Sequence, residues 1–109
     1  MSSHEIPAAE PHRLTGLVSY RQGAVVSRTL LKRPMGTITL FAFAAEQGLS
    51  EHTTPFDALA QILEGAAEIT IAGVPQNVHA GETILLPANQ PHALKAVEQF
   101  KMLLTMIRG

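Results

Sequence analysis

The stretch Gly81-Glu82-Thr83-Ile84-Leu85-Leu86-Pro87-Ala88-Asn89-Gln90-Pro91-His92 decides the reading of this chain. A glycine opens a turn, a short apolar run rich in strand-forming residues follows, and a turn bounded by two prolines delivers one histidine. The pattern repeats outward in both directions. On the N-terminal side, Glu68-Ile69-Thr70-Ile71 and Thr37-Ile38-Thr39-Leu40-Phe41-Ala42-Phe43 suit strands better than helices. On the C-terminal side, HALKAV and FKMLLTMI are further short apolar runs. QG, RPMG, EQG, EGAA, GVPQ, AGE and PANQP punctuate the runs from Leu14 onward, the spacing of an all-β sandwich or barrel.

One segment is ambiguous. Asp57-Ala58-Leu59-Ala60-Gln61-Ile62-Leu63-Glu64 favours a helix by intrinsic propensity, yet Pro55 before it and Gly65 after it leave room for about two turns. It is read as a strand. Residues 1–13 are polar and twice interrupted by proline, and read as a loose or strand-exchanging arm ahead of a single domain over 14–109. Nothing repeats at a fixed period and no segment is of low complexity.

Composition narrows the function classes. Apolar residues are 46% of the 109 and charged ones 16%, and 8 basic side chains nearly balance 9 acidic ones. So balanced a chain lacks the basic excess that nucleic acid or an anionic membrane requires, and its low net charge does little to keep copies apart. The absence of cysteine excludes disulfides, thiolate metal centres and cysteine nucleophiles. The opening MSSHEIPAAEPHRL has no apolar run of the secretory kind, and no stretch is long enough to cross a bilayer. The expectation is a cytoplasmic protein.

Two segments carry the chemistry together: His52-Thr53-Thr54-Pro55-Phe56-Asp57-Ala58, running on to Gly65, and Gly81 to His92. Here the sequence resembles the cupin superfamily, whose second motif is G, five residues, P-x-G-x-x-H. Gly81, Pro87 and His92 match it, and Asn89 stands at the second glycine, where both residue types tolerate positive φ. The fifteen residues between Gly65 and Gly81 suit the short microbial members. The resemblance spans about residues 36–107 and implies a double-stranded β-helix, the RmlC-like jelly-roll barrel, with its pocket at the open mouth.

The first motif is degraded. His52 matches its first histidine, but Thr54 stands at the second and Ala58 at the carboxylate. In members with a full set, three histidines and a Glu or Gln hold a divalent metal. The resemblance therefore implies His52 and His92 as ligands if Fe, Mn, Zn or Ni is present, and two imidazoles alone make a poor site. Asp57 and Gln61 are the candidates for a third ligand. Strand alternation points Gln61 away from the face of residue 58 unless a bulge re-aims it. Asp57 equally suits bracing the turn after Pro55.

The expected ligand-binding pocket comprises His52, His92, Gln61, Met102 and Met106. Met102, Leu104 and Met106 share one face of the last strand and read either as core or as an adaptable pocket wall. His79 reads as solvated, His4 and His12 carry no signal, and Arg21, Arg28, Lys32 and Arg33 read as a solvated face or an anion-recognising patch. Two functions stay open. One is a module binding an apolar or sugar-like small molecule, favoured by the missing half of the first motif. The other is a metal-dependent enzyme of dioxygenase or isomerase type, with metal-free acid/base chemistry at His92 between them. The small members of this look are usually homodimers, and the expected partners are a small molecule and a second copy, with no nucleic acid or membrane.

Overall fold

A computed structural model describes residues 5–108 of the chain. Nine strands carry the fold: β1 (Val25–Arg33), β2 (Gly36–Phe43), β3 (Gly48–His52), β4 (Asp57–Glu64), β5 (Ala66–Ile71), β6 (Val74–His79), β7 (Thr83–Leu86), β8 (His92–Lys95) and β9 (Phe100–Ile107). They form a five-stranded sheet in the order β1-β2-β9-β4-β7 and a four-stranded sheet in the order β3-β8-β5-β6, every pairing antiparallel. This is the double-stranded β-helix. The ambiguous segment is β4, held between β9 and β7. Ladder bonds on both sides and burial of Ala58, Ala60 and Ile62 on one face outweigh its helical propensity, because eight residues make too short a helix to hide the same row.

The two faces of the larger sheet bury different things. Inside the barrel, Phe43 and Phe100 stack at 4.5 Å between centroids, with Ile62, Ile69, Leu86 and Met102 packed around them. On the outer face, Leu30, Leu40 and Ala42 pack against Val18, joined by Ile6, Leu14, Leu17 and Tyr20. The first apolar run, Leu17-Val18-Ser19-Tyr20, is thus no strand. It follows a single 3-10 turn at Leu14–Gly16 and covers the sheet as irregular chain. Tyr20 anchors it by donating to Glu64 Oε2 at 2.7 Å, and Lys101 donates to the Thr15 carbonyl at 2.6 Å.

The described part of the N-terminal arm lies against the barrel rather than standing free. Ile6 N donates to the Leu30 carbonyl at 3.2 Å, and Arg33 pairs with Glu5 at 2.9 Å. The first four residues of the arm, and His4 with them, lie outside the described residues. At the corner from β4 to β5, Gly65 has φ +75° and a Cβ there would collide with the Gln99 carbonyl oxygen, so this glycine is required twice over. No helix among the described residues is long and apolar enough to cross a membrane.

Candidate functional site

β3 and β8 are neighbours, and their register sets His52 directly opposite His92. Opposed residues project to the same face of a sheet. The two imidazoles meet edge-on, with centroids 4.4 Å apart and planes at 68°. His52 is exposed, whereas His92 is 7% exposed, the one polar side chain in the buried set of the described residues. Each ring is oriented by the same local device. His52 Nδ1 lies 2.8 Å from the Ser50 carbonyl oxygen and His92 Nδ1 lies 3.2 Å from that of Gln90, in both cases two residues back along the chain.

Those contacts fix the chemistry of the pair. A carbonyl oxygen only accepts, so each Nδ1 carries the proton and each neutral ring keeps its lone pair on Nε2. No buried side-chain nitrogen or oxygen among the described residues lacks a partner, and the His92 hydrogen bond uses Nδ1 alone. Its Nε2 therefore opens onto accessible space. Burial pushes the His92 imidazole below the ordinary histidine range, and charge on His52 pushes it the same way. The Gln90 carbonyl opposes both.

The histidines border an apolar cavity of about 50 Å³ between the two sheets. Thr54, Ala58, Met102 and Met106 line it with them, and leucines complete the wall. The structure thus gathers four of the five expected pocket residues and leaves one out. Gln61 alternates with inward-facing Ala60 and Ile62, sits in register with Thr83 and Leu103, and takes no part in the cavity. No bulge re-aims it, because the irregularity in β4 falls later, between Ile62 and Glu64.

Asp57 serves the loops rather than the cavity. Its Oδ1 accepts from the Ala88 amide at 2.8 Å, and one residue on, the Asn89 amide donates to the Thr54 carbonyl at 2.7 Å. Asn89 has φ +64°, the left-handed conformation expected at that turn position. Together these bonds lace the segment after His52 to the segment before His92. Thr54 was legible in the sequence only as a vacated ligand position. Its hydroxyl both donates to and accepts from the Phe56 backbone at 3.3 Å, a local turn that holds the mouth of the cavity.

A divalent ion of the kind the fold family carries does not fit this set. Among the described residues no three His, Cys, Asp or Glu side chains come together to hold one. Asp57 is committed to Ala88, Thr54 to Phe56, and Ala58 offers no donor, which leaves two imidazoles where such a centre takes three or more ligands. The remaining candidates are local. His79 pairs with Glu82 at 3.3 Å, and His12 meets the Pro7 carbonyl at 3.1 Å. Of the basic residues, Arg33 engages Glu5 and Arg28 reaches the Leu17 carbonyl.

The fold and this site define a class: a small double-stranded β-helix barrel with a narrow apolar interior and a pair of oriented imidazoles at its mouth. The family model described as "Cupin domain" matches residues 39–108, and the chain belongs to the cupin family. It is similar to a solved conserved protein of unknown function from Streptococcus pyogenes, at 42% identity and TM-score 0.92, over 96% of this chain and 92% of that one. It is also similar to a cupin superfamily protein from Desulfitobacterium hafniense, at 30% identity and TM-score 0.90, over 96% of both chains. No protein of curated function matches it.

Proposed function

We propose that this cupin is a small-molecule-binding module whose ligand presents a hydrogen-bond donor to the His52–His92 pair and a short apolar portion to the cavity beneath. The observation that carries the reading is the pair of carbonyl-held Nδ1 atoms, which leaves both Nε2 atoms as acceptors beside an otherwise apolar wall. Such a few polar groups fixing orientation over an apolar lining is the usual make-up of a ligand site. Ligand pockets generally run to about 300 Å³ or more, so the cavity of about 50 Å³ takes only a short group unless Met102 and Met106 swing aside. Unbranched thioethers do this readily. A donor set short of a divalent centre favours binding over metal-dependent dioxygenase or isomerase chemistry.

A screen of phenols, short alcohols and small amides by ligand-observed NMR tests the reading. A binder is expected, and His92→Ala is expected to keep the melting transition of a folded domain while losing that binder. Binding that survives His92→Ala unchanged, or a set without a single binder, refutes it. Self-association as a homodimer is part of the same proposal. It is supported by the near-zero net charge and by an uncharged row across the outer face of the larger sheet.

A further inference from the structure

Four strand ends meet at the mouth of the barrel. β3 ends at His52 opposite the start of β8 at His92, and β9 ends at Ile107 opposite the start of β4 at Asp57. On the inward face Ala58 opposes Met106, and both border the cavity together with the two histidines. One further step of that register, just beyond the strands, sets Phe56 against Arg108. They share the inward face, since residues two apart on a strand point the same way. Two contacts show that the register runs on. The Arg108 amide donates to the Met35 carbonyl at 2.7 Å, continuing the ladder past Ile107, and the Arg108 guanidinium carbon lies 5.4 Å from the centre of the Phe56 ring. Phe56 and Arg108 thus form the row outside Ala58 and Met106, about 7 Å further along at the usual strand rise.

Resting on the small-molecule reading above, we propose that the ligand class is a small hydroxy acid, whose hydroxyl donates to the His52–His92 pair and whose carboxylate lies on the Arg108 guanidinium. The contact with Phe56 is a cation–π one, which uses the charge of the guanidinium and none of its N–H groups as hydrogen-bond donors. Those donors are disposed to fork onto a carboxylate in two parallel bonds. Among the described residues no carboxylate comes within ion-pair distance of Arg108. Asp57, the acid adjacent to Phe56 in sequence, alternates to the other face and is committed to the Ala88 amide. The positive charge at the mouth therefore falls to a ligand, while the wall beneath is apolar and the imidazoles present acceptors. A cationic ligand would meet Arg108 as a like charge, and a neutral alcohol would leave it unused.

Matched probes on the full chain separate this proposal from the reading it rests on. Ligand-observed NMR compares phenol with para-hydroxybenzoate, and butanol with gamma-hydroxybutyrate. In each pair the acid is expected to bind about tenfold tighter, the effect of one charge-assisted contact, and added salt is expected to erode that preference. Arg108 is exposed, so Arg108→Gln is expected to fold, checked by circular dichroism, and to abolish the preference for the acid. Arg108→Lys, which keeps the charge and loses the fork, is expected to restore part of it. Phe56 is a positioning residue: Phe56→Leu is expected to lower the preference and Phe56→Tyr, which keeps a ring face, to retain it. Acids that bind no tighter than their neutral partners, or a preference that survives Arg108→Gln, overturn the proposal and leave the small-molecule reading standing. Acid binding that needs Arg108 yet persists in His92→Ala refutes the shared ligand and that reading with it. Binding by none of these compounds overturns both.

Discussion

Asp57 accepts a hydrogen bond from the Ala88 amide at 2.8 Å, which ties the first residue of β4 to the loop that delivers His92. The contact reaches across 31 positions in sequence and, with the Asn89–Thr54 backbone bond, holds the two histidine-bearing segments together. Asp57→Ala strips the amide of its acceptor and is expected to cost about 1 kcal/mol. Asp57→Asn keeps a carbonyl oxygen in place and is expected to recover most of that. Urea midpoints measure the cost, and hydrogen exchange at Ala88 locates it. An Ala88 amide that exchanges no faster in Asp57→Ala than in the parent refutes the role.

His92 gives the domain a pH dependence of known sign. Its folded pKa is lowered, chiefly by burial, so at mildly acidic pH the unfolded chain binds a proton that the folded chain refuses. Stability is therefore expected to be full above the unfolded value near 6.5 and to decline as pH falls through it. The decline levels off once pH passes below the folded pKa. Glu5 and Glu82, lowered by Arg33 and by the His79 backbone respectively, lose their contributions only at more acidic pH. Melting temperatures between pH 7 and 5 are expected to fall in the parent and to flatten in His92→Gln. Equal slopes in the two chains would remove His92 as the cause.

The barrel was legible because its punctuation is local. Gly65, Gly81, Pro87 and Asn89 each occupy a turn that demands its residue type, and three of these four adopt positive φ. Leu17-Val18-Ser19-Tyr20 shows where such a reading stops, being an apolar run that forms no strand. Hydrophobicity reports that a segment is covered, and it says nothing about whether the segment pairs in a ladder or merely lies over one. At the site, the facing of His52 and His92 was what the resemblance implied, whereas Gln61, expected in the pocket, obeys strand alternation and takes no part in the cavity. The lacing of Thr54 to Asn89 was invisible, because a backbone-to-backbone bond across a tertiary contact leaves no mark on residue identity. Met106 as the neighbour of Ala58 needed the β4–β9 register, which no local pattern supplies.

Tyr20 is the only tyrosine and the chain has no tryptophan, so its ultraviolet titration reads a single group. Burial raises its pKa strongly, and the Glu64 carboxylate that accepts its hydroxyl raises it further. Tyrosinate absorbance is expected to be missing at pH 10, where a free tyrosine is about half ionised, and to appear only as the fold is lost. The unfolded chain ionises Tyr20 and the folded chain does not, so stability falls as pH rises past about 10. Tyr20→Phe removes one hydrogen bond and is expected to cost about 1 kcal/mol. An ordinary phenol titration in the folded parent would show that the clamp over the outer face does not form.

The register places one continuous row on the outside of the larger sheet. Leu85 of β7 pairs with Leu59, Leu59 with Thr105, Thr105 with Ile38, and Ile38 with Leu31 at the far edge. None of the five is charged, and Leu85, Leu59 and Leu31 are 56%, 37% and 37% exposed. A two-fold interface sets the same patch on both subunits, so an uncharged apolar row meets no like charge when it faces itself. Ile107, 57% exposed, extends the patch at the end of β9. Sedimentation at micromolar concentration is expected to give twice the chain mass. Leu85→Glu would put one carboxylate into the row of each subunit, at an exposed position that contributes little to the core. It is expected to weaken the dimer at least about tenfold, the effect of 1.4 kcal/mol at an interface, with the circular dichroism of the barrel retained. A parent that sediments as a monomer, or a Leu85→Glu chain that dimerises as tightly as the parent, would show that the row faces solvent in the working protein.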